Sequence, residues 1–134
     1  MRRDIHQKII ENYIDAYNSF DIDRMLLDMH DEIKFENISN GEINLATNGI
    51  VELRNQAEQA KHLFKERKQK ITDIKFDADR VEVKIDYSGV LAVDCSNEMK
   101  IGDTIELKDS SIFRFKNNKI VELKDISSNR STYL

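Results

Sequence analysis

Two runs of alternating apolar and polar residues near the C-terminus constrain this chain more than any other stretch. Ile105 to Phe115 and Lys119 to Ile126 flank the pair Asn117-Asn118. Period-two alternation marks half-buried strands, and asparagine tolerates the left-handed backbone of a tight hairpin turn. Each strand then presents one face to a core and the other to water. The face carrying Phe113, Phe115, Val121 and Leu123 also carries three polar residues, Asp109, Ser111 and Asp125. Polar groups on an otherwise apolar face mark where a site would be.

Upstream, Ile5, Ile9, Ile10, Tyr13, Ile14, Ala16, Tyr17 and Phe20 recur at three- and four-residue spacing. This predicts a helix from Asp4 to Phe20 with one wide buried face. Asp21 is the expected N-cap of a short second helix through Met25, Leu26 and Met29. Ile33 to Ile38 alternates as a strand, Ser39-Asn40-Gly41 turns, and Glu42 to Thr47 returns with Ile43 and Leu45 on one face. Asn48-Gly49 restarts a helix whose stripe is Leu53, Ala57, Ala60 and Phe64. The basic cluster Lys65 to Lys70 reads as the polar last turn of that helix, where cations complement the dipole. Long strands follow. Ile74, Phe76 and Ala78 share a face, Asp79-Arg80 turns, and Val81, Val83, Ile85 and Tyr87 alternate with charged residues. Ser88-Gly89 reads as a kink or bulge, and Cys95 to Asp103 as a polar loop. Helices first and a long antiparallel meander last predict an α+β domain with the helices on one sheet face.

Composition narrows the function classes. The chain has 134 residues, 40% hydrophobic and 34% charged, enough for one domain over 1–134 with a real core. A net charge of −4 without a basic stripe argues against nucleic acid as a partner. No segment is apolar and long enough for a signal peptide or a bilayer span, so no membrane partner is expected. The single cysteine, Cys95, can form no internal disulfide and suits a reducing, cytoplasmic setting. His6, His30 and His62 are scattered and read as surface residues, so no metal site is expected. No phosphate-binding glycine loop and no nucleophile elbow occur, and no cofactor is expected.

Several stretches together resemble the nuclear transport factor 2-like superfamily, in its SnoaL-like and ketosteroid isomerase-like branches. They are Tyr13-Ile14-Asp15-Ala16-Tyr17-Asn18 with Asp21, Asp31 to Asn37, Gly49 with Leu53-Arg54, and Ile112 to Phe115 through Asn118 to Glu122. The resemblance rests on their order and spacing over nearly the whole chain. It implies a cystatin-like cone, a strongly curved mixed sheet wrapped around N-terminal helices, with a pocket between helices and sheet. It also implies a homodimer through the outer sheet face. In ketosteroid isomerases a helix tyrosine and a protonated late-strand acid polarise a carbonyl while a first-strand aspartate moves a proton. Those positions fall here on Tyr13, Ser111 and Asn37, and an amide is no useful base near neutral pH. In SnoaL-like cyclases a last-strand aspartate acts as general acid/base beside a histidine of the preceding strand. Asp125 matches the aspartate, and Ser111 replaces the histidine.

Three functions follow as alternatives. The first is a small-molecule-binding protein whose partly apolar ligand meets Tyr13, Tyr17, Asn37, Ser111, Phe113 and Asp125. The second is an isomerase, cyclase or dehydratase acting on a carbonyl compound, with Asp125 as general acid/base and Tyr13 as donor to a developing oxyanion. The third is a dimeric interaction module, which would need an exposed apolar patch. Asp109 reads as a strand-entry residue facing solvent, and Met25, Met29, Phe64 and Phe115 as core or pocket wall.

Overall fold

Asn117 and Asn118 both adopt positive φ, 51° and 61°, and close the expected hairpin between β5 (Thr104–Lys116) and β6 (Lys119–Ser127). A left-handed pair at the two central positions matches the right-handed twist of the flanking strands. The computed structural model describes residues 2–127. The remaining elements are α1 (Arg2–Asn18), α2 (Ile22–Leu26), β1 (Met29–Ser39), β2 (Glu42–Asn48), α3 (Ile50–Lys61), β3 (Phe64–Asp77) and β4 (Arg80–Leu91). The strands form one open, curved, mixed sheet in the order β2-β1-β6-β5-β4-β3. Every neighbouring pair is antiparallel except β1 with β6, which run parallel.

Helix α1 crosses the inner face of this sheet. His6 stacks on Phe115 at 3.8 Å between ring centroids, and Tyr13 meets Phe113 edge-on at 5.8 Å. Further along, Tyr17 meets Tyr87 at 6.2 Å. At the C-terminus of α1 the Asn18 side chain donates to the Gln69 carbonyl and accepts from the Gln69 amide, locking the helix end to β3. Asp21 caps α2 by accepting from the Arg24 amide. Gly49 starts α3 at φ 89°, a backbone conformation that a Cβ disfavours. Leu53 and Ala57 turn the buried face of α3 toward the core.

Several elements depart from expectation. The cluster Lys65 to Lys70 lies inside β3, not at a helix end, and its alternation buries Arg67 and Gln69 while Lys68 and Lys70 stay exposed. An all-polar run carries no hydrophobic period, so the strand leaves no pattern there. Phe64 and Met29 belong to strands, and Ala78 sits in the β3–β4 turn at φ 54°. Val121 leaves the inner face because β6 has an extra residue there: Phe115 pairs with Ile120 while Arg114 pairs with Glu122. Ile120 takes the buried place. His6 is buried, not a surface residue. The outer face is charged, with Lys108–Asp86, Lys84–Glu82 and Arg114–Glu122 ion pairs. Such exposed pairs add little stability.

Ser88-Gly89 neither kinks nor bulges β4, whose pairing with β5 is continuous through Gly89. The irregularities lie in β3 instead, around Phe64/Glu66 and Ile71/Asp73. A Cβ on Gly89 would stand 2.9 Å from the Phe64 ring, which is buried and packed edge-on against Tyr87. Glycine is there for that close approach. Gly89→Ala is therefore expected to cost about 1–3 kcal/mol through overpacking. Thermal unfolding should show a Tm lowered by roughly 3–10 °C, and an unchanged Tm would contradict this packing.

Candidate functional site

Strand register sets the site. Asn37 of β1 pairs with Asp125 of β6, which pairs with Ser111 of β5. The next inward-facing row is Ser39, Ser127, Asp109 and Ile85. The two rows beyond it are Leu107 with Tyr87 and Gln69, then Ile105 with Gly89 and Arg67. Side chains on one sheet face recur every second residue, so a polar diagonal runs from β1 to β3 across an otherwise apolar surface. Above it α1, α2 and α3 leave a cavity of about 60 Å³. That is room for a few waters, each needing about 10–15 Å³, or for a compact organic molecule. Tyr13, Tyr17, Met25, Phe35, Leu53, Ala57 and Tyr87 form the apolar part of its wall.

Two carboxyl groups face this space. Asp125 accepts a 2.7 Å hydrogen bond from Ser111 Oγ, which favours its ionised form. Burial outweighs that bond and pushes its pKa up to about 6. Asp109 is raised to about 7, first by burial and then by the charge on Asp125, with a Ser127 hydrogen bond opposing. Its Oδ1 is buried without a hydrogen-bond partner. Because the two groups repel, the site loses its protons in two steps that belong to the pair. Near neutrality the pair therefore still holds a proton part of the time.

The phenols stay neutral. Burial raises Tyr13 and Tyr87 well above the usual tyrosine range, and Tyr17 in the same direction. Tyr17 and Tyr87 hydroxyls bond to each other at 2.9 Å, whereas the Tyr13 hydroxyl makes no hydrogen bond with the described residues. Arg67, 5% exposed, lies over the Tyr17 ring at 3.7 Å and the Phe20 ring at 4.5 Å. Among the described residues no group of His, Cys, Asp and Glu side chains is arranged to hold a metal ion, and no helix is long and apolar enough to cross a membrane.

Comparison with known proteins identifies the family. The SnoaL-like domain matches residues 10–123. This chain belongs to the SnoaL-like family. Solved structures with the same fold include a protein with a ketosteroid isomerase-like fold from Catenulispora acidiphila, in complex with trimethylamine. It has a TM-score of 0.75 at 12% identity, over 92% of this chain and 88% of that one. A cystatin-fold protein from Novosphingobium aromaticivorans has a TM-score of 0.72 at 17% identity, covering 90% and 97%. An LEH-like epoxide hydrolase from M. tuberculosis has a TM-score of 0.74 at 14% identity, covering 92% and 83%. At such identities these neighbours carry the fold alone. No curated protein matches the chain.

Within this SnoaL-like pocket the structure brings together Tyr13, Tyr17, Asn37, Ser111 and Asp125. It does not bring in Phe113, which is fully buried behind the Tyr13 ring. Asp109 is not a solvent-facing strand entry. β5 begins five residues earlier, and the inward alternation Ile105, Leu107, Asp109, Ser111, Phe113 was the available signal. Arg67 and Gln69 were hidden by the polar run around them.

Both aspartates titrate above the ordinary carboxylate value of 3.8, so the fold favours their protonated forms. That contribution is whole below about pH 4 and is lost as pH rises through 6 and 7. Asp109→Asn keeps the shape and removes the charge. Its Tm should equal the parent's at pH 4 and exceed it by about 2–5 °C at pH 8. Equal curves at both pH values would show an Asp109 that titrates normally.

Proposed function

We propose that this SnoaL-like protein binds a small, partly apolar molecule carrying an oxygen function in the cavity under α1 and α3. The observation that carries this reading is a cavity wall with unmet polar atoms. The buried Asp109 Oδ1 and Gln69 Oε1 have no partner, and Tyr13 of the same wall keeps an unused hydroxyl. Leaving each such group unsatisfied costs about 1–3 kcal/mol, and a ligand with matching donors and acceptors recovers that energy. Asn37 and Ser111 add orienting groups. A homodimer through the outer sheet face and a cytoplasmic setting for the lone Cys95 belong to the same proposal.

Small ketones and alcohols should perturb amide resonances of Tyr13, Asn37, Ser111 and Asp125 saturably in two-dimensional NMR. Ala57→Leu, which fills the cavity from α3, should abolish those shifts while leaving the spectrum folded. Binding that survives the filled cavity would place the ligand elsewhere.

The split carboxyl pair favours a second reading, proton transfer on a carbonyl compound. Asp125, ionised at neutrality, is placed to take a proton, and Asp109 to return one. The Tyr13 hydroxyl, held neutral by burial, is a donor for the oxygen where charge develops. The expected sign is deuterium incorporation next to the carbonyl of a ketone in D₂O, lowered about 100-fold or more by Asp125→Asn. Incorporation indifferent to that substitution would remove Asp125 from the chemistry.

A further inference from the structure

Arg67 is a cationic side chain of the cavity wall, and its bonding stays incomplete. Its Nε donates to the Tyr17 carbonyl at 2.8 Å, and Nη2 reaches only the Met25 sulfur at 3.8 Å. Among the described residues it makes no ion pair. A guanidinium has five N–H donors and no acceptor, so the edge of the fork that borders the cavity and the outer groove is left without a protein oxygen partner. A cation held in so confined a place, 5% exposed, is costly unless something neutralises it. The two aromatic rings offset part of that cost and hold the plane of the fork in place. Phe20 takes a left-handed backbone, φ 59°, at the end of α1, where glycine is the usual residue. Its ring is thereby brought over Arg67.

Neither pocket carboxylate fills the vacancy. The charge of Arg67 is felt by the Tyr13, Tyr17 and Tyr87 phenols, whereas Asp109 and Asp125 respond to burial, to their serine partners and, for Asp109, to each other's charge. The cavity is therefore polarised, with an uncompensated cation toward β3 and a proton-sharing acid pair toward β5 and β6. This deepens the small-molecule reading above and rests on it.

We propose that the ligand is a small monocarboxylate, its carboxylate held by the outer edge of Arg67 and its apolar body lying along Tyr17 and Phe35. A planar pair of oxygens matches the fork of a guanidinium, which binds carboxylates in bidentate fashion. A single negative charge is selected because a more highly charged anion would be repelled by the acid pair across a narrow space. The oxygen function at the other end of the molecule then meets Asn37, Ser111 and Asp125.

The probes are acetate, propanoate and benzoate, each against its neutral amide, titrated near pH 6 where the acid pair retains a proton. The readouts are the pocket amide resonances and the Arg67 Nε–H resonance, which its bond to Tyr17 keeps from rapid exchange. At least one carboxylate should bind about tenfold or more tightly than its amide, shifting Nε–H together with Asn37 and Ser111. Arg67→Met, close in volume, should bring that ratio to about one, and Arg67→Lys should retain part of the preference. Amides that bind as well as carboxylates would overturn the Arg67 assignment and leave the pocket reading standing. If neither series shifts the pocket residues, both fall. Carboxylate shifts confined to Ser88, Gly89 and Val90, on the outer groove that Arg67 also borders, would equally overturn the proposal.

Discussion

The parallel pairing of β1 with β6 is the constraint on which this architecture depends. It is the only link between the β1–β2 hairpin and the β3–β6 meander in the sheet, and its register decides which side chains meet. Asn37 lies beside Asp125 because those residues are partners in the ladder. A one-residue slip would carry the whole inward set of β1 to the outer face. The aspartate is thereby fixed on an interior strand facing the cavity, and desolvation there raises its pKa.

The same register makes the site polar along a diagonal. The rows through Leu123–Phe113–Val81 are apolar, and α1 seals them with Tyr13 and His6. Moving along the sheet toward β3, the inward positions change to Asp125, Asp109, Gln69 and Arg67, and these line the cavity. Unlike charges lie at opposite ends of that band instead of cancelling as an ion pair. On the proposed reading, a pocket organised in this way would orient a dipolar or singly charged guest, which would exclude water from the acid pair.

Much of the fold was legible in the residues. Period-two alternation identified β4, β5 and β6, helical spacing identified α1, and the Asn-Asn and Asn-Gly pairs placed the turn and the start of α3. Asp125, Ser111, Asn37 and Tyr13 were legible as a constellation only through their order along the chain, which resembles the family. What remained hidden has physical causes. The first part of β3 buries an arginine and a glutamine, so its inward face does not look apolar. Asp109 resembles a strand end until Ile105 and Leu107 are recognised as the same face continuing. Val121 looked inward because a one-residue bulge cannot be seen in an alternating pattern.

Everything proposed for the site depends on Asp109 and Asp125 facing one cavity with both carboxyls raised above the ordinary range. Titration of the Asp109 and Asp125 side-chain carbons by ¹³C NMR tests this most directly. The structure predicts coupled transitions near 6 and 7, with Asp125→Asn drawing the Asp109 transition downward as the repelling charge disappears. Two independent transitions near 4, the range of a solvated aspartate, would contradict it.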